Sequence, residues 1–271
     1  MSASEAGSLS ALSKVPAEAR TRPLQQWWAL TLRGVSKVFR NGEFVFAFVS
    51  PVFLAVCFYL PLSSLMDSFG VSYGQFLMPI IVLQSVGFAA SSAAMRSSFD
   101  DTQGINTRFR VLPMPVAVPM CARLATNVAL LVVSLLCATV ACAAIGWRPM
   151  GGLVGTIGLY TVAFTVGVLI ALLADGIGLV AGSPEATSQA MMLPTLILGM
   201  MSTGFVPVSQ FPEWIQPFVR NQPISQFVNV MRATDYGALS WEVLQPTIWW
   251  CTGLLGIAVL LLVMGSRKGR S

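Results

Sequence analysis

Few side chains in this sequence could do chemistry, and their types restrict what that chemistry is. The chain has no histidine, which removes imidazole metal ligation, Ser-His nucleophile activation and histidine proton relays together. Five cysteines, Cys57, Cys121, Cys137, Cys142 and Cys251, fall in or beside apolar runs without Cys-x-x-Cys spacing. They read as small buried hydrophobes rather than a zinc site or a disulfide framework, and no metal site is expected. No Gly-x4-Gly-Lys-Ser/Thr phosphate cradle occurs, nor any kinase, dinucleotide-binding or zinc-hydrolase pattern. What remains is polar without being reactive. Gln84, Ser85, Ser91 and Ser92 interrupt one apolar run, and Ser202 and Thr203 interrupt another. Such groups can meet a passing substrate, and a path with so little charge suits an apolar or amphipathic molecule better than an ion. The charged residues Asp100, Asp101, Arg108 and Arg110 cluster between two runs, as a docking surface would.

The elements that must position these groups are membrane helices. The chain of 271 residues is 55% hydrophobic and 10% charged, whereas soluble domains carry about 25% charged residues. Six apolar runs are long enough to span a bilayer: 44–64, 72–94, 115–145, 153–174, 189–207 and 246–265. The expected fold is an all-α membrane protein, with residues 1–22 as a polar, disordered tail, 23–42 as an amphipathic helix and 43–271 as one transmembrane domain. The third run is long and is expected to tilt. Pro51, Pro79 and Pro194 fall in or near spans and invite kinks. Gly87–Ala94, GFAASSAA, lets helices approach closely, as a path wall, a subunit interface or routine intramembrane packing.

Charge decides the orientation, because cytoplasmic flanks carry excess Lys and Arg. With the N-terminus inside, most of the 16 cations lie on the cytoplasmic side, including Lys14, Arg20, Arg22, Arg33, Lys37, Arg40, Arg96, Arg108, Arg110, Arg267, Lys268 and Arg270. Arg148, Arg220 and Arg232 are left outside. The reading is a multi-pass protein of the cytoplasmic membrane with both termini cytoplasmic. The net charge of +5 then reflects topology and anionic lipid rather than nucleic acid.

Three segments outside the spans have patterns of their own. In PLQQWWALTLRGVSKVFRNG, Pro23 to Gly42, helical spacing gathers Leu24, Trp28, Leu32, Val35 and Phe39 on one stripe and Arg33, Lys37 and Arg40 on another. That is the pattern of a helix lying in the membrane interface, anchored by Trp28. In SSFDDTQGINTRFRVLPMP, Ser97 to Pro115, Ser98 and Asp101 have the spacing of a capping box. The acidic pair suits a helix start and Arg108 and Arg110 its end, so a short cytoplasmic helix of about three turns is expected from Ser98 to Arg110, with Phe99, Ile105 and Phe109 giving it apolar surface. Asp175 ends the fourth run and reads as a helix-end carboxylate near water. In FPEWIQPFVRNQP, Phe211 to Pro223, Phe211, Trp214, Ile215 and Phe218 suit the headgroup layer. Pro212 can start a turn, and Pro217 and Pro223 divide the segment into pieces. Ile224 to Ala233 follows as an amphipathic piece with Phe227, Val230 and Met231 on its apolar face. A broken, partly re-entrant segment and a surface loop anchored by Trp214 both fit.

Six spans with docking surfaces and no motor suggest a permease driven by a separate subunit. A motorless channel or secondary carrier is the alternative, and a lipid-modifying membrane enzyme is disfavoured by the missing histidines and acidic clusters. The whole pattern from residue 23 onward resembles the ABC-2 type permease family. GINTRFRVLPMP, Gly104 to Pro115, is similar to the coupling region of daunorubicin-resistance-type permeases, and FPEWIQPFVRNQPISQFVNVMRA, Phe211 to Ala233, is similar to the segment before their last span. Where many relatives have Glu-x-Gly-Thr in the coupling region, this chain has Thr102-Gln103-Gly104-Ile105. The resemblance implies an actinobacterial exporter of apolar drugs or cell-envelope lipids. It implies a second permease chain, identical or different, and a P-loop ATP-binding subunit. Asp100, Asp101, Gly104, Asn106, Arg108 and Arg110 would meet that subunit. ATP and magnesium would be bound there, with no cofactor in this chain. It also implies that the external segment, with Phe211, Pro212, Trp214, Pro217, Phe218, Arg220 and Pro223, dips into the outer leaflet.

Overall fold

A computed structural model describes residues 23–68, 72–105, 115, 117–181 and 183–268. The expected tail at 1–22 and the predicted contacts Asn106, Arg108 and Arg110 lie outside them. Nine α-helices are described: α1 (Pro23–Arg40), α2 (Glu43–Ser68), α3 (Tyr73–Thr102), α4 (Ala117–Ala144), α5 (Gly152–Val180), α6 (Pro184–Met200), α7 (Gln216–Asn221), α8 (Pro223–Asp235) and α9 (Trp241–Lys268), with a 3-10 turn at Val208–Gln210. No strand occurs among the described residues, as expected where backbone groups must be satisfied within each segment.

Five helices are long and apolar enough to cross a membrane: Ala47–Met66 within α2, α3, α4, α5 and Trp241–Gly265 within α9. The remaining expected span, 189–207, is not among them: it is helical only as far as Met200, where the 17-residue helix α6 ends. At 1.5 Å per residue it is about 25 Å long, just short of the roughly 30 Å hydrocarbon core. Beyond it the chain turns through Met201–Val206 rather than continuing as helix. Pro51, Pro79 and Pro194 all lie inside continuous helices.

Helix α3 is the centre of the molecule. It packs against α2, α4, α5, α6 and α8, and most of its side chains between Tyr73 and Ser98 are buried. Small residues permit this crowding. A Cβ on Gly87 of α3 would meet Thr195 of α6 at 2.3 Å, and one on Gly178 of α5 would meet the Ala94 carbonyl at 2.6 Å. The main core joins Leu77, Ile80, Ile81 and Val86 of α3 to Leu131 and Leu135 of α4, Leu159 and Val166 of α5, and Phe227 and Met231 of α8. By contrast, α2 and α9 expose Phe48, Phe53, Leu60, Ile257, Leu260 and Val263, an outer surface suited to lipid or to another chain.

Helix α1 packs on α4. Gly34 sits against Thr126, where an added Cβ would lie 2.4 Å from the hydroxyl oxygen, and Thr31 and Val38 are buried. The predicted apolar stripe points away from the protein: Leu24, Trp28, Leu32 and Phe39 are each at least half exposed. This helix therefore has a protein-facing side, an outward apolar side and a cationic side with Arg33, Lys37 and Arg40 exposed.

Two sequence expectations are corrected. Ser98 does not begin a short helix. Helix α3 runs without interruption to Thr102, so Ser98 is fully buried inside its last turns and its hydroxyl has no hydrogen-bond partner among the described residues. An N-cap residue needs non-helical backbone, which a continuing helix denies it. The chain turns only at Gly104, which has φ of 67°, a left-handed conformation that glycine adopts without a Cβ penalty. Asp175 is likewise not at a helix end. Gly176–Val180 remains apolar and helical, so α5 continues past it and buries it to 5% exposure.

Candidate functional site

The polar residues of the proposed path are held in the packed interior. Gln84 is 1% exposed, and neither amide atom has a hydrogen-bond partner among the described residues. It lies on α3 against Gly199 of α6, where a Cβ would come within 2.1 Å of its nitrogen. A buried amide without partners is costly, and it is the strongest polar anomaly in the middle of the bundle. The neighbouring hydroxyls are engaged along their own helix: Ser85 donates to the Ile81 carbonyl at 2.6 Å and Ser91 to the Gly87 carbonyl at 3.0 Å. Ser92 is half-buried.

Ser202 and Thr203 belong to the turn after α6. Ser202 donates to the Gly199 carbonyl at 2.6 Å and accepts from the Gly204 amide at 3.1 Å. The Thr203 amide donates to Ser225 Oγ at 3.1 Å and its hydroxyl to Asn229 at 3.4 Å. Gln222 reaches the Met201 carbonyl at 2.5 Å. Ser202 thus closes the turn on itself and Thr203 ties it to α8, and neither faces open solvent.

That end of the bundle holds a polar cluster around α8. Arg232 donates from Nη1 to the Thr203 carbonyl at 2.8 Å and from Nη2 to the carbonyls of Phe76 and Gly204 at 2.8 and 3.0 Å. Its guanidinium carbon lies 3.6 Å from the Phe76 ring centroid, a cation–π geometry. One turn later, Asp235 is 2% exposed and accepts from Gln75 of α3 and, at 3.1 Å, from the Trp147 indole. Gln75 in turn accepts from the Arg148 amide at 3.0 Å. The fork of one arginine and the two lone-pair sites of one carboxylate oxygen fasten α8 to α3, to the turn after α6 and to the loop after α4.

The segment expected to be external is in pieces, with Pro217 and Pro223 at helix starts. Phe211 is half-buried, while Pro212, Trp214, Phe218 and Arg220 are exposed, Trp214 at 80%. In α8 the face expected to be apolar is buried through Phe227, Val230 and Met231, together with Val228.

The opposite end holds the predicted coupling residues that are described. Asp100 lies in the last turn of α3 and pairs with Lys37 of α1 at 3.5 Å. Asp101 is exposed, and Gly104 makes the turn. Beside them is a network that sequence reasoning missed. Arg96 donates to Asn127 Oδ1 at 2.8 Å, Asn127 donates to Asp175 Oδ2 at 3.1 Å, and Ser97 donates to the Asp175 carbonyl at 3.4 Å. It joins α3, α4 and α5. The signal was present: Asn127 and Asp175 are isolated polar residues within apolar helices, and such residues face the bundle interior and pair. Arg232 and Asp235 carry no comparable signal, because charged residues beside the apolar face of an amphipathic helix are ordinarily solvated.

Nothing in this arrangement supplies a nucleophile with a base. Among the described residues no group of three or more His, Cys, Asp or Glu side chains could hold a metal. The arrangement is a helical bundle with polar fasteners at each end.

The family profile described as ABC-2 type transporter matches residues 25–236. The chain is 34% identical over 254 residues to the doxorubicin resistance ABC transporter permease protein DrrB of Mycobacterium tuberculosis, covering 87% of this chain and 86% of that protein. It is 26% identical to the probable doxorubicin resistance ABC transporter permease protein DrrC of the same species, covering 82% and 80%. With the daunorubicin resistance ABC transporter permease protein DrrB1 of Streptomyces coeruleorubidus it shares 28% identity over 71% of this chain and 68% of that one. An all-helical bundle with five candidate spans, matched by that profile over most of its length, is an ABC-2 permease, and the chain belongs to the ABC-2 type transporter family.

Proposed function

We propose that this chain is the membrane subunit of an ATP-driven exporter that moves an apolar or amphipathic substrate, a drug or a cell-envelope lipid, out across the cytoplasmic membrane. The observation that carries the reading is the union of family membership with a sequence that has no nucleotide cradle of its own. The energy must come from a separate P-loop subunit, which binds ATP and magnesium. Its docking place is the end of the bundle that carries Asp100, Asp101 and Gly104, continuing into Asn106, Arg108 and Arg110. Lys37, Arg40, Arg96 and Arg123 lie in the segments leading to the same end, which supports its assignment to the cytoplasm. The α8 end with Trp214 is then external, and the segment from Phe211 to Pro223 dips into the outer leaflet. The exposed apolar faces of α2 and α9 leave room for a second permease chain and for lipid. Drug export enters by analogy with relatives named for doxorubicin and daunorubicin resistance.

The test is purification of the tagged chain in mild detergent from its native membranes, with mass spectrometry of what accompanies it. A co-purifying P-loop ATPase, whose hydrolysis responds to reconstitution with this chain, is the expected result. A chain that is isolated alone, recruits no ATPase in the presence of ATP analogues and still transports would establish a motorless carrier instead.

A further inference from the structure

We propose that the C-terminal half of α6 is a movable wall, and that its movement off α3 uncovers Gln84 as the contact for a neutral hydrogen-bonding group, a carbonyl or hydroxyl, on an otherwise apolar substrate. The substrate is that of the exporter reading and rests on it; the movement stands on the α3–α6 seam alone. Gln84 is 1% exposed, and neither its amide nitrogen nor its amide oxygen has a hydrogen-bond partner among the described residues. The amide is pressed onto the backbone of α6: an added Cβ on Gly199 would lie 2.1 Å from its nitrogen and 3.1 Å from its oxygen. The Gly199 carbonyl offers no remedy. It already accepts from the Ser202 hydroxyl at 2.6 Å and the Ser202 amide at 3.1 Å, which uses both of its lone pairs. The closed seam therefore carries the cost of a desolvated amide with nothing to offset it.

Helix α6 is also lightly held. It packs mainly on α3 and little on α5 and α8. Its buried side is one narrow stripe, Pro184, Thr187, Met191 and Gly199, while Met192, Leu193, Ile197 and Met200 are exposed around the rest. The Thr187 and Thr195 hydroxyls donate to carbonyls one turn back, of Ser183 and Met191, both at 2.8 Å. At the seam itself, Gly87 meets Thr195 and Gly199 meets Gln84, a close approach of small residues held by van der Waals contact. Pro194 lies inside α6, where it removes a backbone donor and marks a bend point between the two halves. Moving the half beyond Pro194 breaks few contacts and exchanges an unpaired amide for one that can be paired. Two arrangements close in free energy follow, and a ligand that bonds the amide favours the open one.

The experiment uses the full chain in liposomes with its native cysteines replaced, and with spin labels at Val140→Cys of α4 and Met200→Cys of α6, both exposed positions. Labelled chain is diluted with unlabelled chain so that distances within one chain are read. Two distances are expected, that of the closed seam and a longer one. Gln84→Leu should deplete the longer one by about tenfold or more and should raise the melting temperature, because an apolar group replaces an unpaired amide. Gly87→Ala should enrich the longer one, since its methyl would sit 2.3 Å from Thr195 Cγ2, and Thr195→Ser in the same chain should restore the closed distance. A single distance in the parent chain would overturn the movable wall. A lowered melting temperature in Gln84→Leu would overturn it too, by showing that the amide has a partner that stabilises the closed seam. If Gly87→Ala fails to fold, Gln84→Leu and the Gly87→Ala, Thr195→Ser pair still decide the matter. None of these readouts uses nucleotide or substrate, so a chain that proved to have no ATPase partner would still show whether the seam opens.

Discussion

Asn127 of α4 donates to the carboxylate of Asp175 on α5 at 3.1 Å while its own carbonyl accepts from Arg96 of α3 at 2.8 Å. One amide therefore bridges a cation and an anion, and Asn127 and Asp175 are both buried there. An amide has both a donor and an acceptor end, and this bridge uses both. Replacing Asn127 with Ala removes a donor from a buried charge. The expected cost is about 3 kcal/mol, read as a lowered melting temperature in detergent. Asp175→Asn keeps an acceptor for Asn127 and should cost less. Equal losses for both substitutions would mean that the network is incidental to stability.

The Arg232 fork makes a second prediction. Three carbonyls, on Thr203, Gly204 and Phe76, converge on its two terminal nitrogens. Lysine keeps the charge but is a point donor that cannot reproduce a planar fork. Arg232→Lys should cost about 2–4 kcal/mol, from one or two charged hydrogen bonds. It should also open the turn after α6 to protease. Unchanged protection of residues 201–207 would contradict the fastening role.

How far the sequence revealed these features depended on the kind of signal. Apolar runs and cation placement are repeated over many residues, so the helices, their order and the amphipathic character of α1 and α8 could be read from it. Single-residue signals were ambiguous. Ser98 and Asp101 have the spacing of a capping box, but capping requires the chain to leave the helix before Ser98, and the buried contacts of Ala93, Ala94 and Ser97 keep α3 helical. Asp175 looked like a terminus because a carboxylate is costly inside a bilayer, and its compensation by Asn127 lies 48 residues away in sequence. Gln84 was legible as a polar break but not as an unpartnered one, because partners are a property of the packed bundle.

Close packing of α8 on α5 gives a prediction that turns on one methyl group. A Cβ on Gly155 would lie 2.6 Å from the Thr234 carbonyl oxygen, backbone that cannot rotate aside. Gly155→Ala should destabilise the chain by about 1–3 kcal/mol through overpacking. Gly253 of α9 has nothing within 4 Å of the same added atom, so Gly253→Ala should leave the isolated chain unaffected. Thermal denaturation of the two variants side by side checks the contrast. A loss of assembly in Gly253→Ala, with monomer stability intact, would place α9 against another chain.

Coupling to an ATPase predicts a separation of activities. Arg108→Glu with Arg110→Glu reverses charge just beyond the turn at Gly104, where a docking partner would read it. Membrane insertion and folding should be retained, while substrate-stimulated ATP hydrolysis and transport fall by at least about tenfold, equivalent to 1.4 kcal/mol of lost interaction. Normal transport by that variant would remove the segment from the coupling pathway.

The segment from Phe211 to Ala233 can be mapped by single cysteines, after the native cysteines, of which Cys57 and Cys121 are exposed, have been replaced. A maleimide that cannot cross membranes, applied from outside, should label positions 214 and 220, where the native side chains are exposed, and spare 219, 227, 228, 230 and 231, where they are buried. The spared set is not one stretch of sequence. It follows the inward side of α7 and α8, because a short helix broken by Pro217 and Pro223 must bury one face against α3 and α5 to persist at membrane depth. Uniform labelling along the segment would make it a surface loop. Labelling at position 214 only from the cytoplasmic side would reverse the orientation assigned from the cations. Periodic protection with external access at 214 would support both the orientation and a re-entrant segment at the exit.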